Sequence, residues 1–478
     1  MEQTGRPEIY FRADGNAKIG LGHIHRTLAF ADYLKDYFQI TFFVHGADEL
    51  VAGIIKEKGY GIKNIPEDYT KPENFISSIN KKALVVLDGY NFKTNYQKAL
   101  KENGNKVIAI DDLNEWENVA DVVINHGYSG SDYKIAPGSK LYSGLKYAII
   151  KPEILKEERS EEKRSDKKIL VCIGGTDPEG FSEIMVSTLL KETDKEISLL
   201  TYPLNPLFNK LEKLALENNK RLKLFHSLNT RDLIQLIKGN DMAILQPSNI
   251  ALEAMALGIH ISLIQTAENQ KYILKTLVGN KCAVELDLDK INSISLQQIN
   301  EQIMQQSTVL DRRSPSRVLD IVNSLLLEFR KVGSGDVKLI YDWNNDPVTR
   351  ANSHNTAKIE YADHEKWFAK RIADENLDFL LFSFNGIPCG SVRVERQEKE
   401  NVIGLAIAPE FRGKKLASLI IDKAGEYFYR NHGKKEITAY IKKENTPSIK
   451  SFERAGYKIV NEGEYCGDEG YRLIKKAE

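Results

Sequence analysis

The sequence is poor in cysteine and carries no excess of either charge. Its 478 residues include only four cysteines, and none of them lies in a C-x-x-C pair. This spacing argues against a zinc site and against a disulfide framework, so we expect no metal. Lysine plus arginine equals aspartate plus glutamate, at 67 each. A chain without net charge gives no reason to expect nucleic acid or an anionic membrane as a partner.

Long apolar runs are also absent. No uninterrupted apolar stretch approaches the roughly 20 residues of a membrane span. The first residues, MEQTGRPEIYF, lack the apolar segment of a secretory signal. We therefore expect a cytoplasmic protein. Its length is too great for one ordinary core and predicts about two to four domains.

Short apolar runs alternate with helical patterns from residue 8 to about residue 151. Strands are predicted over 8–11, 38–44, 83–87, 106–110 and 121–124. Such alternation predicts a parallel sheet covered by helices, in which ligands gather beyond the carboxyl ends of the strands. The polar residues placed there are Asp88, Tyr90, Asp111, Asp112, Asn125 and His126. For Asp111 and Asp112, capping the helix that follows is as good an explanation as a ligand contact.

The stretch 12–26, RADGNAKIGLGHIHR, joins the first predicted strand to the first predicted helix. Gly20 and Gly22 allow a backbone to approach a ligand closely, and a helix start offers N–H groups to an anion. His23, at this junction, can take a proton from water near neutral pH. Arg26, one turn along, can hold a carboxylate or phosphate. The alternative for His23 is a capping or surface role.

The arrangement G-x-G-H-x-x-R, preceded by R-A-D-G, resembles the start of the UDP-sugar hydrolases of pseudaminic acid biosynthesis, which are relatives of the two-domain GT-B glycosyltransferases. The resemblance implies that His23 is the catalytic residue that activates water. It continues in D-G-Y at 88–90 and in A-E-N-Q at 267–270, which matches a motif of the interdomain cleft. For the last two residues, a helix cap is the commoner explanation by sequence alone. The implied substrate-binding residues are Arg12, Asp14, Gly20, Gly22, Arg26, Tyr90, Asn269 and Gln270.

A charged segment at 156–168 separates this region from a second alternating one, because such a composition cannot bury a core. There the strand 168–173 runs into G-G-T-D-P, which resembles a turn of the same family and can cradle a diphosphate through backbone N–H groups. A plain tight turn is the alternative. Glu253 fits the acidic residue that chelates ribose hydroxyls, whereas P-S-N at 247–249 stands where the family has glycines, which leaves the nucleotide open. The implied nucleotide-binding residues are Gly174, Gly175, Thr176, Ser248, Asn249 and Glu253.

The last third of the sequence has a different pattern. K-V-G-S-G-D at 331–336 predicts a short flexible hinge. Beyond it we predict a strand over 337–341, a helix over 361–368 and a hairpin over 379–394. Asn385-Gly386, between the two strands of this hairpin, favours a type I′ turn. These features predict an α+β domain with an antiparallel sheet.

A strand over 402–407 leads into the loop R-G-K-K-L-A at 412–417 and then into a helix. The loop resembles the pyrophosphate loop R-x-x-G-x-G/A of the GNAT acetyltransferases, with Lys415 at the usual middle glycine. Successive N–H groups at a helix start can bind the diphosphate of coenzyme A, and cationic side chains add charge. The resemblance therefore implies acetyl-CoA as a cosubstrate. The implied acetyl-CoA-binding residues are Leu405, Ile407, Arg412, Gly413, Lys414, Lys415, Ala417 and Asn445.

One position departs from the GNAT pattern. Phe452 stands where many relatives have a tyrosine that protonates the departing thiolate, so the proton has to come from solvent or from Tyr457. Glu395 or a chain of waters is the candidate general base for the amine. Five residues resemble the N-terminal half of the amino-sugar acetyltransferases of the same pathway: Trp343, Asn345, Arg350, His364 and Trp367.

Together the resemblances predict a bifunctional nucleotide-sugar enzyme. Its fold is an α/β, GT-B-like pair of doubly wound Rossmann-type domains, 1–160 and 161–330, followed by an α+β GNAT domain, 337–478. The GNAT domain would acetylate the 4-amino group of a UDP-4-amino-4,6-dideoxy sugar, and the GT-B-like part would hydrolyse the product to UDP and a free diacetamido sugar. The alternatives are a glycosyltransferase fused to an acetyltransferase, and a chain in which one half is a non-catalytic binding module. The predicted ligands are small molecules, and other enzymes of the pathway are candidate partners.

Overall fold

The structure is a computed structural model. It describes residues 6–15, 21–65, 68, 70–128, 130–159, 165–174, 177, 179–465 and 467–476. The chain forms two compact units, Met1–Leu319 and Asp320–Glu478. The first unit contains two sheets and the second unit contains one.

The first sheet has seven parallel strands in the order β3-β2-β1-β4-β5-β6-β7. Its strands are β1 (Glu8–Ala13), β2 (Gln39–His45), β3 (Gly61–Ile65), β4 (Leu84–Asp88), β5 (Lys106–Ile110), β6 (Val122–Asn125) and β7 (Lys140–Ser143). The helices of this lobe are α1 (Gly22–Leu34), α2 (Glu49–Glu57), α3 (Pro72–Ile76), α4 (Thr94–Glu102) and α5 (Pro152–Lys156). Every residue of β4 is buried, as expected of a central strand covered on both faces.

The second sheet has six parallel strands in the order β10-β9-β8-β11-β12-β13. Its strands are β8 (Lys168–Cys172), β9 (Glu196–Leu200), β10 (Leu222–Phe225), β11 (Met242–Leu245), β12 (His260–Leu263) and β13 (Val284–Glu285). The helices are α6 (Phe181–Glu192), α7 (Phe208–Glu217), α8 (Thr230–Lys238), α9 (Asn249–Leu257), α10 (Lys271–Gly279) and α11 (Leu296–Val309). Helix α12 (Ser314–Leu326) begins in the first unit and ends in the second.

Both sheets of the first unit confirm the prediction of parallel α/β structure. Each begins with the strand order 3-2-1-4-5-6 that is common in doubly wound folds, where ligands bind at the point at which the order reverses. Sequence analysis missed β3 and β7, because their sequences, GIKNI and KLYS, carry few apolar residues at the edges of the sheet. The limits of the predicted domains stay predictions, and part of the charged segment 156–168 lies outside the described residues.

The second unit contains a mainly antiparallel sheet in the order β14-β15-β16-β17-β18-β20-β19. Its strands are β14 (Leu327–Lys331), β15 (Leu377–Phe384), β16 (Ile387–Arg396), β17 (Asn401–Ile407), β18 (Ile437–Lys442), β19 (Lys458–Tyr465) and β20 (Asp468–Lys475). The helices are α13 (Val337–Asn344), α14 (Pro347–Asn352), α15 (Tyr361–Ile372), α16 (Ala417–His432) and α17 (Thr446–Arg454). The predicted hairpin is present as β15 and β16, and its turn has φ of 50° at Asn385 and 79° at Gly386. Two positive φ values are those of the type I′ turn.

Two predictions for this unit are wrong. Residues 337–341 form the start of helix α13 rather than a strand, and the residues α13 buries, Ile340 and Trp343, are three apart as a helix face requires. The predicted hinge at 331–336 is instead an ordered turn. Arg330 donates to both carboxylate oxygens of Asp336, each at 2.7 Å, and this pair holds the turn against the end of β14.

None of the helices in the described part of the chain is long and apolar enough to cross a membrane.

Candidate functional sites

The first site lies at the carboxyl edge of the first sheet. Strands β1 and β4 are neighbours, with Ala13 beside Asp88, and helix α1 follows β1. His23 and Arg26 are three residues apart in α1, so they lie on one face of the helix. This face meets the end of β4, which places both side chains against Asp88. No described side chain caps the N-terminus of α1.

His23 and Asp88 form a hydrogen-bonded pair. The Nδ1 atom of His23 lies 2.7 Å from Oδ1 of Asp88, and Asp88 is fully buried. A carboxylate can only accept at this contact, so Nδ1 carries the proton and donates it. In a neutral ring this arrangement leaves the Nε2 lone pair as the basic atom. The carboxylate thereby orients the ring and can stabilise the imidazolium that forms when Nε2 takes a proton.

Arg26 joins Asp88 to a second carboxylate. Its Nε and Nη2 atoms donate to the two oxygens of Asp88 at 2.8 and 2.7 Å, and Nη1 donates to both oxygens of Asp112 at 2.8 Å. Burial alone would lower the pKa of Arg26, but the charges of Asp112 and Asp88 outweigh it and raise that pKa. Arg26 is therefore a fixed cation that holds both carboxylates, and its predicted contact with substrate stays a prediction.

The same contacts determine the acidity of Asp88. Burial raises the pKa of this carboxyl, but the positive charges of Arg26 and His23 and their hydrogen bonds lower it to about 2. Asp88 is consequently ionised at every pH at which His23 could act as a base.

We expect this depressed pKa to make the first unit sensitive to acid. A carboxyl whose pKa is about 2 when folded and about 3.9 when unfolded stabilises the fold at neutral pH by about 2.5 kcal/mol. That contribution is complete above the unfolded pKa and is lost as the pH falls toward the folded pKa. The free energy of unfolding of the wild type should therefore approach that of Asp88→Asn between about pH 5 and pH 2. Scanning calorimetry across this range checks it, and a constant difference between the two proteins would contradict it.

Tyr90 and Asn269 connect this site to the second lobe. The ring of Tyr90 meets the ring of His23 edge to face, with centroids 4.8 Å apart. Asn269, which follows β12, donates from Nδ2 to the Tyr90 hydroxyl at 2.5 Å. Gln270 turns inward instead, and its Oε1 accepts from the backbone N–H of Thr266 at 2.8 Å. The structure thus brings Tyr90 and Asn269 to His23, whereas Gln270 stabilises its own loop.

Arg12 and Asp14 lie deeper than a direct ligand contact requires. Arg12 is fully buried, forms an ion pair with Asp14 and lies over the ring of Phe92, 4.7 Å from its centroid. Asp14 also accepts from the backbone N–H of His45 at 2.9 Å. Their predicted contacts with substrate stay predictions. Gly22 is exposed at the start of α1, and Gly20 lies outside the described residues.

The sequence placed Asp88 and Asp112 at this edge of the sheet, but it did not predict that they are the partners of His23 and Arg26. It selected Tyr90 from the D-G-Y motif, but Asp88 is the residue that contacts the histidine. The available signal was the run L-V-V-L-D, an apolar strand that ends in a carboxylate at the edge of the sheet. No helix directly follows β5 in the described segment 111–121, so neither of the adjacent aspartates caps one, and their contact with a ligand stays a prediction. Asp111 accepts from the backbone N–H of Leu113 at 2.9 Å and so caps a turn, whereas Asp112 binds Arg26.

The second lobe brings two of its predicted loops together. Gly174, after β8, has φ of 69°, and a Cβ at this position would lie 2.8 Å from Oε1 of Gln246, which follows β11. The glycine therefore permits a close approach of the two loops. Asp177 accepts from the backbone N–H groups of Phe181 and Ser182 at 3.0 and 2.7 Å, so it caps α6. The predicted contacts of Gly175 and Thr176 fall outside the described residues.

The start of α9 carries the other predicted nucleotide contacts. Ser248 precedes the helix without a side-chain capping bond, and Asn249 is its first residue. Glu253 lies one turn further on, is buried, and forms an ion pair with Lys151 at 3.1 Å. This pair connects the second lobe to the segment that precedes α5. The predicted binding of ribose by Glu253 stays a prediction.

The second unit contains a wedge between two strands. β17 and β18 run parallel, but they pair only at Asn401 with Ile437 and at Val402 with Thr438. Beyond Val402 the strands diverge, so the predicted contacts Leu405 and Ile407 lie on the open part of β17. The backbone of this part has no ladder partner on the β18 side.

The predicted pyrophosphate loop follows the open end of β17. Gly413 and Lys415 have φ of 77° and 59°, so Lys415 adopts the left-handed conformation that glycine usually supplies. Ala417 begins helix α16, and Nζ of Lys414 lies 4.7 Å from the centroid of the Phe411 ring. Arg412 donates to Oδ1 of Asp346 at 2.5 Å, which keeps its guanidinium beside the loop.

The residues named for proton transfer have other contacts. Tyr457 is buried against the ring of Phe452, with centroids 4.9 Å apart, and burial raises its pKa. Glu395 forms an ion pair with Arg371, and such a pair makes a carboxylate a weaker base. Asn445 caps α17 by accepting from the backbone N–H of Ser448 at 3.2 Å. The predicted roles of Tyr457, Glu395 and Asn445 stay predictions.

No group of three or more histidine, cysteine, aspartate or glutamate side chains that could hold a metal ion occurs within the described ranges.

Comparison with known families and proteins also separates an N-terminal from a C-terminal part of the chain. Residues 327–458 match the family model of the acetyltransferase (GNAT) domain. A UDP-2,4-diacetamido-2,4,6-trideoxy-beta-L-altropyranose hydrolase of Campylobacter jejuni is 29% identical over 55% of this chain and 93% of its own length. The N-terminal half is homologous to that hydrolase, and the C-terminal part is a GNAT domain.

Other relatives cover different shares of the chain. An uncharacterized protein of Methanocaldococcus jannaschii is 26% identical over 95% of this chain and 98% of its own length, so the similarity covers both parts of this chain. A spore coat polysaccharide biosynthesis protein of Bacillus subtilis is 24% identical over 58% of this chain and 83% of its own length. A spermidine N-acetyltransferase of Vibrio cholerae, solved with CoA and spermine, is 19% identical over 32% of this chain and 95% of that chain. The TM-score of that match is 0.29.

Proposed function

We propose that this chain, a hydrolase homologue joined to a GNAT domain, carries out two successive steps on one nucleotide sugar. The GNAT domain transfers an acetyl group from acetyl-CoA to the 4-amino group of a UDP-4-amino-4,6-dideoxy sugar. The first unit, a GT-B-like pair of lobes, then hydrolyses the UDP-diacetamido sugar to UDP and free sugar. The observation that carries the proposal is the His23 and Asp88 pair at the edge of the first sheet. Both steps belong to cytoplasmic, pseudaminic-type nonulosonic acid biosynthesis.

Hydrolysis requires a base, an oriented water and a place for the leaving group. Nε2 of His23 takes a proton from the attacking water, and Asp88 stabilises the imidazolium through Nδ1. The oxygen of this water bonds to the anomeric carbon as the bond from that carbon to the diphosphate breaks. The ring of Tyr90 packs edge to face with the imidazole ring and limits its rotation. Asn269 of the second lobe donates a hydrogen bond to the Tyr90 hydroxyl and so fixes Tyr90 in turn.

The departing diphosphate carries the negative charge of the reaction. The loops after β8 and β11 lie side by side in the second lobe, and the helix N-terminus of α9 begins at one of them. Backbone N–H groups and a helix N-terminus stabilise phosphate oxygens without a metal. We assign Gly174, Ser248 and Asn249 to this role, with Gly175 and Thr176 of the same turn.

Acetyl transfer fits the wedge between β17 and β18. The thioester of acetyl-CoA lies along the open part of β17, where N–H groups that face away from the ladder can bind the oxyanion. The amine nitrogen bonds to the carbonyl carbon, its proton passes to solvent, and the bond to sulfur breaks to release the thiolate. Residues 412–417 bind the diphosphate of the coenzyme at the start of α16.

Incubation of the full chain with acetyl-CoA and candidate UDP-4-amino sugars tests the proposal. Free thiol should appear first, followed by UDP and a free reducing sugar, and heavy oxygen supplied as water should enter that sugar. UDP without incorporation of water oxygen would indicate transfer to another acceptor. Thiol release without UDP would indicate a first unit that only binds the nucleotide sugar. Either result would contradict the proposed hydrolysis.

A further inference from the structure

Arg393 occupies a central place in the second unit. It lies on β16, where its register partners are Phe379 on β15 and Gly404 on β17. Paired residues of neighbouring strands share a face of the sheet. Helix α15 covers this face, and Cζ of Arg393 lies 5.3 Å from the ring centroid of Trp367. A guanidinium over an indole ring is a cation–π contact that orients the planar group.

No neighbouring carboxylate pairs with Arg393. Glu395, two residues along the same face of β16, forms its ion pair with Arg371. Among the described residues, Arg393 itself has no ion pair and no hydrogen bond. Of the two other arginines that act on it, Arg371 is neutralised by Glu395 and Asp374. Arg350 donates to neutral oxygens, including the carbonyls of residues 344 and 355 at 2.5 and 2.9 Å.

The surroundings of Arg393 disfavour its positive charge, and the direction of its pKa shift shows this. Burial and, after it, the positive charges of Arg371 and Arg350 together lower the pKa of Arg393 to about 10. A half-buried cation beside other cations destabilises a fold unless something of opposite charge binds it.

The position of Arg393 points to the acetyl acceptor. Gly404 lies two residues beyond Val402, where the pairing of β17 with β18 ends. A Cβ at Gly404 would lie 3.6 Å from Nη2 of Arg393, so the guanidinium extends over a strand position that has no side chain. The cation therefore lies beside the narrow end of the wedge, whereas the loop 412–417 follows the open end of β17.

We propose that Arg393, beside Arg350 and Trp367, binds a phosphate group of the acetyl acceptor, so that this unit selects amines that carry a phosphate or diphosphate. The inference rests on the proposed acetyltransferase function and adds the residue that recognises the diphosphate of its acceptor. The planar fork of arginine matches phosphate oxygens with two parallel hydrogen bonds, and a bound phosphate supplies the missing negative charge. The amine and the diphosphate of a nucleotide sugar are separated by one sugar ring, so a single acceptor can reach the wedge and Arg393 together.

Thiol release by the full chain tests the assignment with two acceptors, a UDP-linked 4-amino sugar and the same amino sugar without the nucleotide. Loss of one charge-assisted contact in Arg393→Gln should raise KM for the UDP-linked acceptor roughly tenfold to a hundredfold. KM for acetyl-CoA and turnover of the free amino sugar should not change. Arg393→Lys keeps the charge but lacks the planar fork, so its KM for the UDP-linked acceptor should lie between those of the wild type and Arg393→Gln. Arg430→Gln removes an exposed arginine of α16 and should match the wild type.

The remaining outcomes separate the inference from the proposed function. An equal loss with both acceptors, a raised KM for acetyl-CoA alone, or no change would each overturn the inference. If the wild type acetylates no UDP-linked amine, the proposed function fails. In that case the phosphate site is tested by chemical protection. UDP should protect Arg393 from modification by phenylglyoxal, measured at that residue by mass spectrometry, and absence of protection overturns the inference.

The thermal midpoint of Arg393→Gln should equal or exceed that of the wild type, because the substitution removes an unbalanced cation. A lower midpoint would show that Arg393 supports the fold and would overturn the assignment.

Discussion

Asp88→Asn is expected to lower the rate of UDP release by about a thousandfold to ten-thousandfold. An amide can turn its NH2 group toward Nδ1 of His23, which favours the wrong tautomer and leaves Nε2 protonated. It also cannot stabilise the imidazolium as a carboxylate does. His23→Gln should give a loss of the same order, because it removes the base itself. Quantifying UDP under saturating UDP-diacetamido sugar measures both effects.

Asp112→Asn provides the matched control for this prediction. It changes a carboxylate that binds Arg26 but leaves the pair of His23 and Asp88 in place. We expect a much smaller loss of UDP release, and acetyl transfer should be unaffected in all three variants. Equal losses in Asp88→Asn and Asp112→Asn would assign the effect to Arg26 rather than to the histidine pair. Full activity of His23→Gln would remove the basis of the proposed hydrolysis.

Arg26→Met is expected to destabilise the first unit by about 3–5 kcal/mol, the usual cost of removing one partner from a buried ion pair. The substitution leaves Asp88 fully buried and removes the cation that also binds Asp112. Urea unfolding monitored by hydrogen exchange in the strands of the first unit measures the change. Arg231→Met, which removes an exposed arginine of α8, should change the free energy of unfolding little.

The triple variant Arg26→Met, Asp88→Asn and Asp112→Asn tests the cause of that loss. If unpaired buried carboxylates are responsible, neutralising both should recover part of the stability that Arg26→Met loses. No recovery would show that the packing of the arginine side chain, rather than its charge, holds the end of β4. The triple variant should release UDP no faster than Asp88→Asn in either case, because it contains that substitution.

The sequence predicted the central elements of the fold well because they are apolar throughout. β4, β5 and β6 are short buried runs whose nature does not depend on distant residues. Edge strands such as β3 and β7 are defined by the strand beside them, and local sequence carries little sign of them. Residues 337–341 illustrate the same limit, since V-K-L-I-Y suits a strand by composition but packs as a helix in α13.

Individual site residues were predictable where a motif is local. His23 and Arg26 belong to one helix, so their spacing alone puts them on one face. Asp88 lies 65 residues from His23, and only the parallel pairing of β1 with β4 brings the two together. Arg393 had no motif at all. Its importance arises from what surrounds it on three strands and a helix, which no sequence window contains.

The hydrogen bond between Asn269 and Tyr90 makes the orientation of the imidazole a joint property of both lobes. A fragment that ends before the second sheet would retain the histidine and its carboxylate yet lose the amide that fixes the neighbouring phenol. Severing the lobes should therefore weaken the base as well as remove the proposed nucleotide-binding loops. Recombining the two pieces in solution would restore turnover only to the extent that they dock in the original register.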